Sequence, residues 1–411
     1  MKYYAFLEEI EDSGEELTLV FDSILHESVY KGKLYSNLQL IQTFQIIFSV
    51  NAKLLKSIYN RRNFLLDRWY EIETSKRNSG VKATRYNLSN DQKLEISIDS
   101  IKILDRRNRV QKELMKSSSL DFLPDADIDS ISKLLPSLRE DQNLVMKVMN
   151  VGQGNSVSFV EETTQQDLFY VDVGGGILRN RSSYKDSKIK YNPVEDALII
   201  LTHWDMDHWV SLIRKSDSLK NTKLLAPRQK PIGLSHVKLA ADLESQNRLL
   251  IWPESNTEII GELVDVYKLK KHSVRNYSGL VVVAKTEPWR EKSALITGDA
   301  PYSKCDFLNR YDVNVVVVPH HGGRVESDTI PQAPEHHISA YSYGANNSYG
   351  HPHSETKIKH NKRGWNNEFN TVDSDILIIN EKSVFSDFVT FHELRGSQVV
   401  NISNKAFKSD S

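Results

Sequence analysis

Thr202-His203-Trp204-Asp205-Met206-Asp207-His208-Trp209 is the stretch whose reading decides the fold. Two imidazoles and two carboxylates fall within six residues, directly behind the apolar run 197–201. A strand that ends and releases a tight loop would aim His203 and Asp205 to one side and leave Asp207 and His208 beside them. Carboxylate oxygens and neutral imidazole nitrogens crowded in this way repel one another unless something positive sits among them. A divalent metal supplies that charge, and two separate pairs suggest two ions. The competing reading is a solvated polar turn that happens to be rich in His and Asp, since short motifs recur by chance.

The rest of the chain weighs against chance. From residue 144 the pattern is one of short apolar runs, each closed by a loop rich in Gly, Asp or His. Residues 144–148 lead into Val151-Gly152-Gln153-Gly154-Asn155. Runs 157–160 and 168–171 read as a hairpin whose second strand ends at Asp172-Val173-Gly174-Gly175-Gly176. Run 197–201 delivers the central motif, with a short helix expected over 210–219. Runs 264–269 and 279–284 are further strand candidates. Run 294–297 closes on Gly298-Asp299, and 313–318 closes on Pro319-His320-His321-Gly322-Gly323. Downstream lies Asn346-Asn347-Ser348-Tyr349-Gly350-His351-Pro352-His353, then strand candidates at 376–379 and 386–391. Six of the 13 histidines fall in three patches, His203/His208, His320/His321 and His351/His353, where scattered ones would not group. Strand after strand thus delivers an acid or a histidine at its end, the way sites on layered α/β folds are assembled.

Residues 1–140 have another texture. Leu38, Ile41, Phe44, Ile47, Phe48, Leu54, Leu55, Ile58, Leu65, Leu66 and Trp69 recur at about three- and four-residue spacing, which predicts one long helix or two in sequence. Lys53, Lys56, Arg61, Arg62 and Arg68 accompany that stripe, and a short strand is expected over 94–99. Arg106, Arg107, Arg109, Lys112 and Lys116 form a second basic cluster, read either as a nucleic-acid contact or as a solvated helix face. Asp121, Asp125, Asp127 and Asp129 around Pro124 read as an acidic linker. The expected division is therefore a mainly helical module, 1–140, and a second domain, 141–411.

Bulk properties fit an ordinary globular protein: 39% hydrophobic, 26% charged, net charge −1, which argues against a general polyanion-coating protein. The single cysteine, Cys305, excludes an intramolecular disulfide and fits a reducing compartment, with the cytoplasm as the expectation. Acidic residues stand where a secretory signal needs an apolar core, and no run approaches the ~18–20 apolar residues of a membrane span.

With these blocks in view, the sequence resembles the metallo-β-lactamase superfamily. More closely it resembles the soluble hydrolase domain of the DNA-uptake competence protein ComEC and its stand-alone relatives. The resemblance covers about residues 144–391 and rests on VGQGN, YVDVG, THWDMDH, LITGD and VPHHGG followed by NNSYGHPH, in that order. It implies an α/β fold, the αββα four-layer sandwich, with the mainly helical module as an N-terminal appendage. It implies metal ligands at His203, Asp205, Asp207, His208, Asp299 and His320, with His321 as an alternative to His320. Asp172 matches an acid that supports the metal loop. Asp207, His321, His351 and His353 are the candidates for orienting the nucleophile and meeting the departing oxygen.

The chain also departs from that pattern. Asn150 and Asn155 stand where the family usually has acids, Trp209, Val210 and Ser211 replace a glycine pair, and a third histidine position is left to His272 or Asn276. The implied cofactor is a pair of divalent ions. Asp205, an oxygen donor in a histidine's place, favours Mn²⁺ or Mg²⁺, with Zn²⁺ open. The expected activity is a two-metal phosphodiesterase or nuclease acting on nucleic acid. Alternatives are hydrolysis of a small phosphoester or cyclic nucleotide, and a regulatory protein with a weakened site. Residues 1–140 are expected to recruit nucleic acid or a protein partner, or to self-associate, and no membrane association is expected.

Overall fold

The computed structural model describes residues 1–30, 38–59, 63–75, 80–88, 90–137, 142–285, 292–379 and 397–401. The chain forms two compact units, Met1–Leu123 with Gln229–Asn247, and Pro124–Arg228 with Arg248–Ser411. Arg61, Arg62 and the strand expected over 386–391 lie outside the described residues.

Six strands build the first unit: β1 (Lys2–Asp12), β2 (Leu17–Leu25), β3 (Thr43–Val50), β4 (Trp69–Ser75), β5 (Val81–Asn87) and β6 (Gln92–Ile103). They close into a barrel in the order β1-β2-β3-β5-β6-β4, with β1 antiparallel to both β2 and β4. Closure leaves no strand edge to pair with another chain. Alternate residues fill the interior, among them Tyr3, Ala5 and Leu7 of β1 and Phe44, Ile46, Phe48 and Val50 of β3.

The expected helical module is therefore wrong: this unit is mainly β. The stripe from Leu38 to Trp69 contains a strand, one short helix and the start of another strand. In β3 the residues on the outer face, Gln45 and Ile47, are buried as well. The helix Leu234–Ser245 packs there, with Gln45 Nε2 donating to Ser235 Oγ at 3.5 Å and Lys238 Nζ donating to the Ile41 carbonyl at 3.0 Å. Burial on both faces erases the alternation that marks a strand, and the surviving apolar residues mimic helical spacing. The aromatic and β-branched content of Thr43–Val50 was the contrary signal. Among the described residues of the stripe only Ala52–Ile58 is α-helical, capped by Asn51, whose side chain accepts from the Lys53 and Leu54 amides.

The second unit contains β7 (Leu144–Val148), β8 (Ser156–Glu161), β9 (Asp167–Val173), β10 (Pro193–Ile200), β11 (Lys223–Ala226) and β12 (Leu249–Ile251). There follow β13 (Glu258–Ile260), β14 (Val264–Lys268), β15 (Leu280–Lys285), β16 (Lys292–Ile296), β17 (Asp312–Val317), β18 (Ile338–Tyr341) and β19 (Glu368–Asn370). Last come β20 (Ile376–Ile379) and β21 (Gln398–Asn401). One mixed sheet runs β12-β11-β10-β9-β8-β7-β20-β21 and the other β13-β14-β15-β16-β17-β18-β19. The expected hairpin is β8–β9, paired antiparallel. The sheets share one core: Met146, Val157, Phe159, Val171 and Ile200 of the first meet Val266, Val282, Ile296, Val315 and Ala340 of the second. Each Val, Ile, Met or Phe among them, withdrawn from water, contributes about 1.5–3 kcal/mol before entropy is counted.

This unit is α/β, with two β layers. Its helices among the described residues are short, the longest being Ser354–Lys362 with nine residues, so the flanking layers are thin beside those of the expected four-layer sandwich. The expected linker is also built in. Asp127 caps the helix Ile128–Leu134, Ile131 enters the shared core, and Asp125 pairs with Arg228 at 2.7 Å. The border thus falls at Leu123/Pro124 rather than at residue 140, and Gln229–Asn247 belongs to the first unit. No helix among the described residues is long and apolar enough to cross a membrane.

Candidate metal centre

Four strand ends meet at the central motif. β10 ends at Ile200 and releases the loop through His203 and His208; β9 brings Asp172, β16 brings Asp299, and β17 brings His320 and His321. The loop is held by its backbone. The Asp207 carbonyl accepts from the Asn155 and Gly175 amides, both at 3.0 Å. A Cβ at Gly174 would fall 1.6 Å from that same carbonyl oxygen, so only glycine allows the approach. The VGQGN and VDVGGG blocks are thus the clamp on the central loop.

Asp172, fully buried, is spent on support. Its oxygens accept from the Thr202 amide (2.8 Å), Thr202 Oγ1 (2.8 Å), Asn155 Nδ2 (2.9 Å) and His208 Nδ1 (2.7 Å). This explains the amide at residue 155, because an acid there would face Asp172 with like charge. With Nδ1 of His208 donating, its Nε2 is left as a lone-pair donor turned into the site. His321 is set in the same way, Nδ1 donating to the Ser342 carbonyl at 2.9 Å.

The inward-facing atoms have no hydrogen-bond partner. Nε2 of His203, His208 and His321 and Oδ1 of Asp299 are all buried and unpartnered among the described residues. Such atoms are costly unless something satisfies them. His208 Nε2 lies 3.0 Å from Asp299 Oδ1 and 3.9 Å from Asp207 Oδ1. His321 Nε2 lies 3.2 Å from Asp207 Oδ2 and 3.6 Å from Asp299 Oδ1. Ligand atoms about 2.1 Å from a tetrahedral ion stand roughly 3.4 Å apart, so the residues fit a metal ion.

Electrostatics make the same demand. Burial alone would push the His208 imidazole down, but Asp299, Asp172 and Asp207 hold it well above its ordinary value. Burial likewise opposes charge on His321, and Asp299 and Asp207 raise it. Asp299 is held well below the usual carboxylate range, burial being outweighed by His208, His320 and His321. The cluster attracts positive charge, which protons or a metal ion can supply.

Two expected ligands are placed differently. His320 and His321 both adopt left-handed backbone conformations (φ 53° and 55°), which turn consecutive side chains to different sides. His321 goes inward, while His320 stays 47% exposed with Nε2 3.6 Å from Asp299 Oδ2. The late histidine of the cluster is therefore His321, with His320 at its rim. Asp205, with Oδ2 3.2 Å from His203 Nε2, is held by charge: Arg275 Nε lies 2.7 Å from its Oδ1, an ion pair whose angle leaves that buried oxygen without a well-formed hydrogen bond. Burial acts upward on the Asp205 carboxyl, yet Arg275 and His203 hold it far below the usual range.

His351 stands beside the rim, its ring 5.2 Å from that of His320 and 5.1 Å from that of His353. Burial and the neighbouring histidines His320, His321 and His353 push its imidazole down to about 3, so the ring is neutral. His353 is the residue that precedes the first turn of the helix Ser354–Lys362. Of the two candidates for the third histidine position, His272 is exposed and accepts from the Val274 amide. Asn276 reaches the cluster instead, Nδ2 donating to Asp299 Oδ2 at 3.4 Å. Arg275, Thr202 and Ser342 were missed by the sequence reading. Only Thr202 carried a signal, as the polar residue between a strand and the motif.

No family model matches the chain, and no curated protein does. Solved structures do. The chain is similar to the metallo-β-lactamase fold protein YhfI from Bacillus subtilis at 12% identity, covering 55% of this chain and 95% of that one, with a TM-score of 0.33. It is similar to CmlA, a diiron β-hydroxylase from Streptomyces venezuelae, at 15% identity over 75% of this chain and 56% of that one, TM-score 0.30. The flavodiiron protein from Giardia intestinalis is a further neighbour, at 15% identity over 40% and 41% of the two chains, TM-score 0.23. At these scores the likenesses carry no argument about the reaction, which has to come from the side chains.

Proposed function

We propose that this chain is a metal-dependent hydrolase of phosphodiesters, with nucleic acid as its foremost substrate. One observation carries the reading: three buried imidazole nitrogens without partners converge on Asp207 and Asp299 at ligand spacing. His208, His321, Asp207 and Asp299 would hold the ion, with His203 beside them. When bound, a divalent ion would supply two things there, a water whose pKa is lowered toward ~7 and polarisation of a phosphoryl oxygen.

The chain's own residues do the rest. Asp172 and the Ser342 carbonyl fix the tautomers and directions of His208 and His321. Asp207 accepts a proton or hydrogen bond from the attacking water. His351, neutral, offers a ring N–H to an anionic oxygen without adding charge, and half-exposed His320 faces the entering substrate. Lys185, Lys188 and Lys190 lie exposed on the loop that follows Asp172, which supports a long polyanionic substrate. With Asp205 ion-paired to Arg275, the remaining donors are richer in nitrogen than expected, which supports Zn²⁺ or Mn²⁺ over Mg²⁺ as the ion of this proposal.

For the barrel unit the proposal remains recruitment of nucleic acid or of a partner, supported by exposed Arg106, Arg107 and Arg109. Replacing all three by alanine should weaken binding of long nucleic acid and flatten its salt dependence, with turnover of a small ester untouched. The activity itself is tested by incubating the protein with DNA, RNA, cyclic nucleotides and a small diester in Zn²⁺, Mn²⁺ or Mg²⁺. Cleavage of nucleic acid that chelation abolishes is expected. Turnover of cyclic nucleotide alone would redirect the reading to small phosphoesters, and metal-loaded protein inert toward every substrate would overturn it.

A further inference from the structure

Four carboxylates converge on the central loop, and their counter-charges differ. Asp172 is consumed by four donors within the protein. Asp205 has a guanidinium on it, Arg275 Nε at 2.7 Å, with only 16% of the arginine side chain exposed. Asp207 and Asp299 remain, and their two negative charges match a single divalent ion. The ligand geometry is uneven in the same sense. On one side His208, His321, Asp207 and Asp299 Oδ1 stand 3.0–3.9 Å apart with no arginine or amide among them.

The other side would need Asp205 together with Asp299 Oδ2, which lies 3.7 Å from His203 Nε2. There the Arg275 guanidinium takes the first carboxylate and the Asn276 amide donates to the second at 3.4 Å. An ion 3.5–4 Å from the first would have to displace both donors and sit beside a fixed positive charge. Arginine does not vacate its place by losing a proton, since its guanidinium stays charged across the accessible pH range.

Resting on the metal-hydrolase reading above, we infer that Arg275 stands where a second ion would otherwise bind, so that the centre takes one divalent ion and one guanidinium. Asp205 is then an anchor for arginine rather than a metal ligand. The catalytic charge that a second ion would lend is carried by the chain itself.

The test counts ions on the full-length protein. Wild type, Arg275→Gln, Arg275→Lys, Asp205→Asn and the double variant Arg275→Gln/Asp205→Asn are stripped with chelator. They are then dialysed against Zn²⁺ or Mn²⁺ and assayed for metal per chain by plasma mass spectrometry, with thermal melts to confirm folding. Wild type should hold one ion and Arg275→Gln two, because Asp205 and the second side of Asp299 are released. Arg275→Lys and the double variant should hold one. Asp205→Asn, informative even if Arg275→Gln fails to fold, should keep its ion at wild-type affinity. Two ions of similar affinity on wild type, a folded Arg275→Gln that stays at one, or loss of the ion from Asp205→Asn would overturn the inference while leaving the metal centre standing. Wild type that binds no ion would instead remove the metal-centre reading, and this inference with it.

Discussion

Each unit of this protein buries a cluster of histidine and carboxylates, and only one of them looks like a metal centre. In the barrel unit Glu8, Asp22 and His236 come together closely enough to hold an ion. There the atoms are used up: His236 Nε2 lies 2.6 Å from Glu8 Oε1, while Asp22 accepts from the Ser235 amide at 2.6 Å and from Ser235 Oγ at 2.8 Å. The cluster is a latch that seats the helix Leu234–Ser245 on the barrel. In the second unit the central cluster leaves three Nε2 atoms and the Oδ1 atoms of Asp205 and Asp299 without hydrogen-bond partners, and of the two oxygens Asp205 Oδ1 alone has an arginine against it. Residue type and proximity do not separate a latch from a ligand set; unsatisfied lone pairs do.

The harshest way to break the comparison is to remove the latch's unit. A chain starting at Asp141 loses the barrel on which Leu234, Val237, Ala240 and Leu243 are buried, and also loses Ile131 from the sandwich core. At about 1.5–3 kcal/mol for each exposed side chain, the deficit exceeds what a domain can spare, and the truncated chain should be insoluble. A soluble, cooperatively melting product would show that the helix Leu234–Ser245 does not need the barrel to cover its apolar face. Next in size is Asp207→Ala, expected to cut hydrolysis by at least about 100-fold while moving the melting temperature of the metal-free protein little. Activity near wild type after repletion with Mn²⁺ would sink the ligand assignment.

Asn155→Asp sharpens the distinction from the support side. It swaps a donor for an acceptor opposite Asp172 at 2.9 Å, and should weaken metal affinity by roughly 10–100-fold without touching a ligand. Calorimetric titration with Zn²⁺ reads this directly, and an unchanged affinity would show that the amide is incidental.

The smallest effect belongs to a third kind of histidine. His360 is fully buried with both nitrogens engaged, Nδ1 donating to the Thr356 carbonyl and Nε2 accepting from Tyr302 Oη. Burial lowers its pKa below the ordinary 6.5, so the folded state binds fewer protons than the unfolded chain. Its contribution is complete above pH 6.5 and is lost as pH falls below it. Denaturant melts at pH 7.5 and 5.5 should show a smaller acid penalty in His360→Gln than in wild type; equal penalties would contradict the assignment.

The two-sheet α/β unit was legible in the sequence because its strands are short, apolar and closed by loops that keep their chemistry in consecutive residues, as in THWDMDH and VPHHGG. The barrel was not, because β3 is covered on both faces and its period is hidden. The choice between His320 and His321 rests on two backbone angles that no spacing reveals. Arg275 gave no signal, since its partner Asp205 lies in a distant loop. Asn155 stood out in the sequence as an amide beside a glycine-rich loop, but its sense as a donor to Asp172 needed the fold.

The most direct test of the central claim sets the two clusters against each other. Full-length Asp299→Asn and His236→Gln are stripped, dialysed against Zn²⁺ and assayed for bound metal beside wild type. Asp299→Asn should lose the ion, while His236→Gln should keep it and lose only melting temperature. Metal that follows His236, or that survives in Asp299→Asn at wild-type affinity, would contradict the claim.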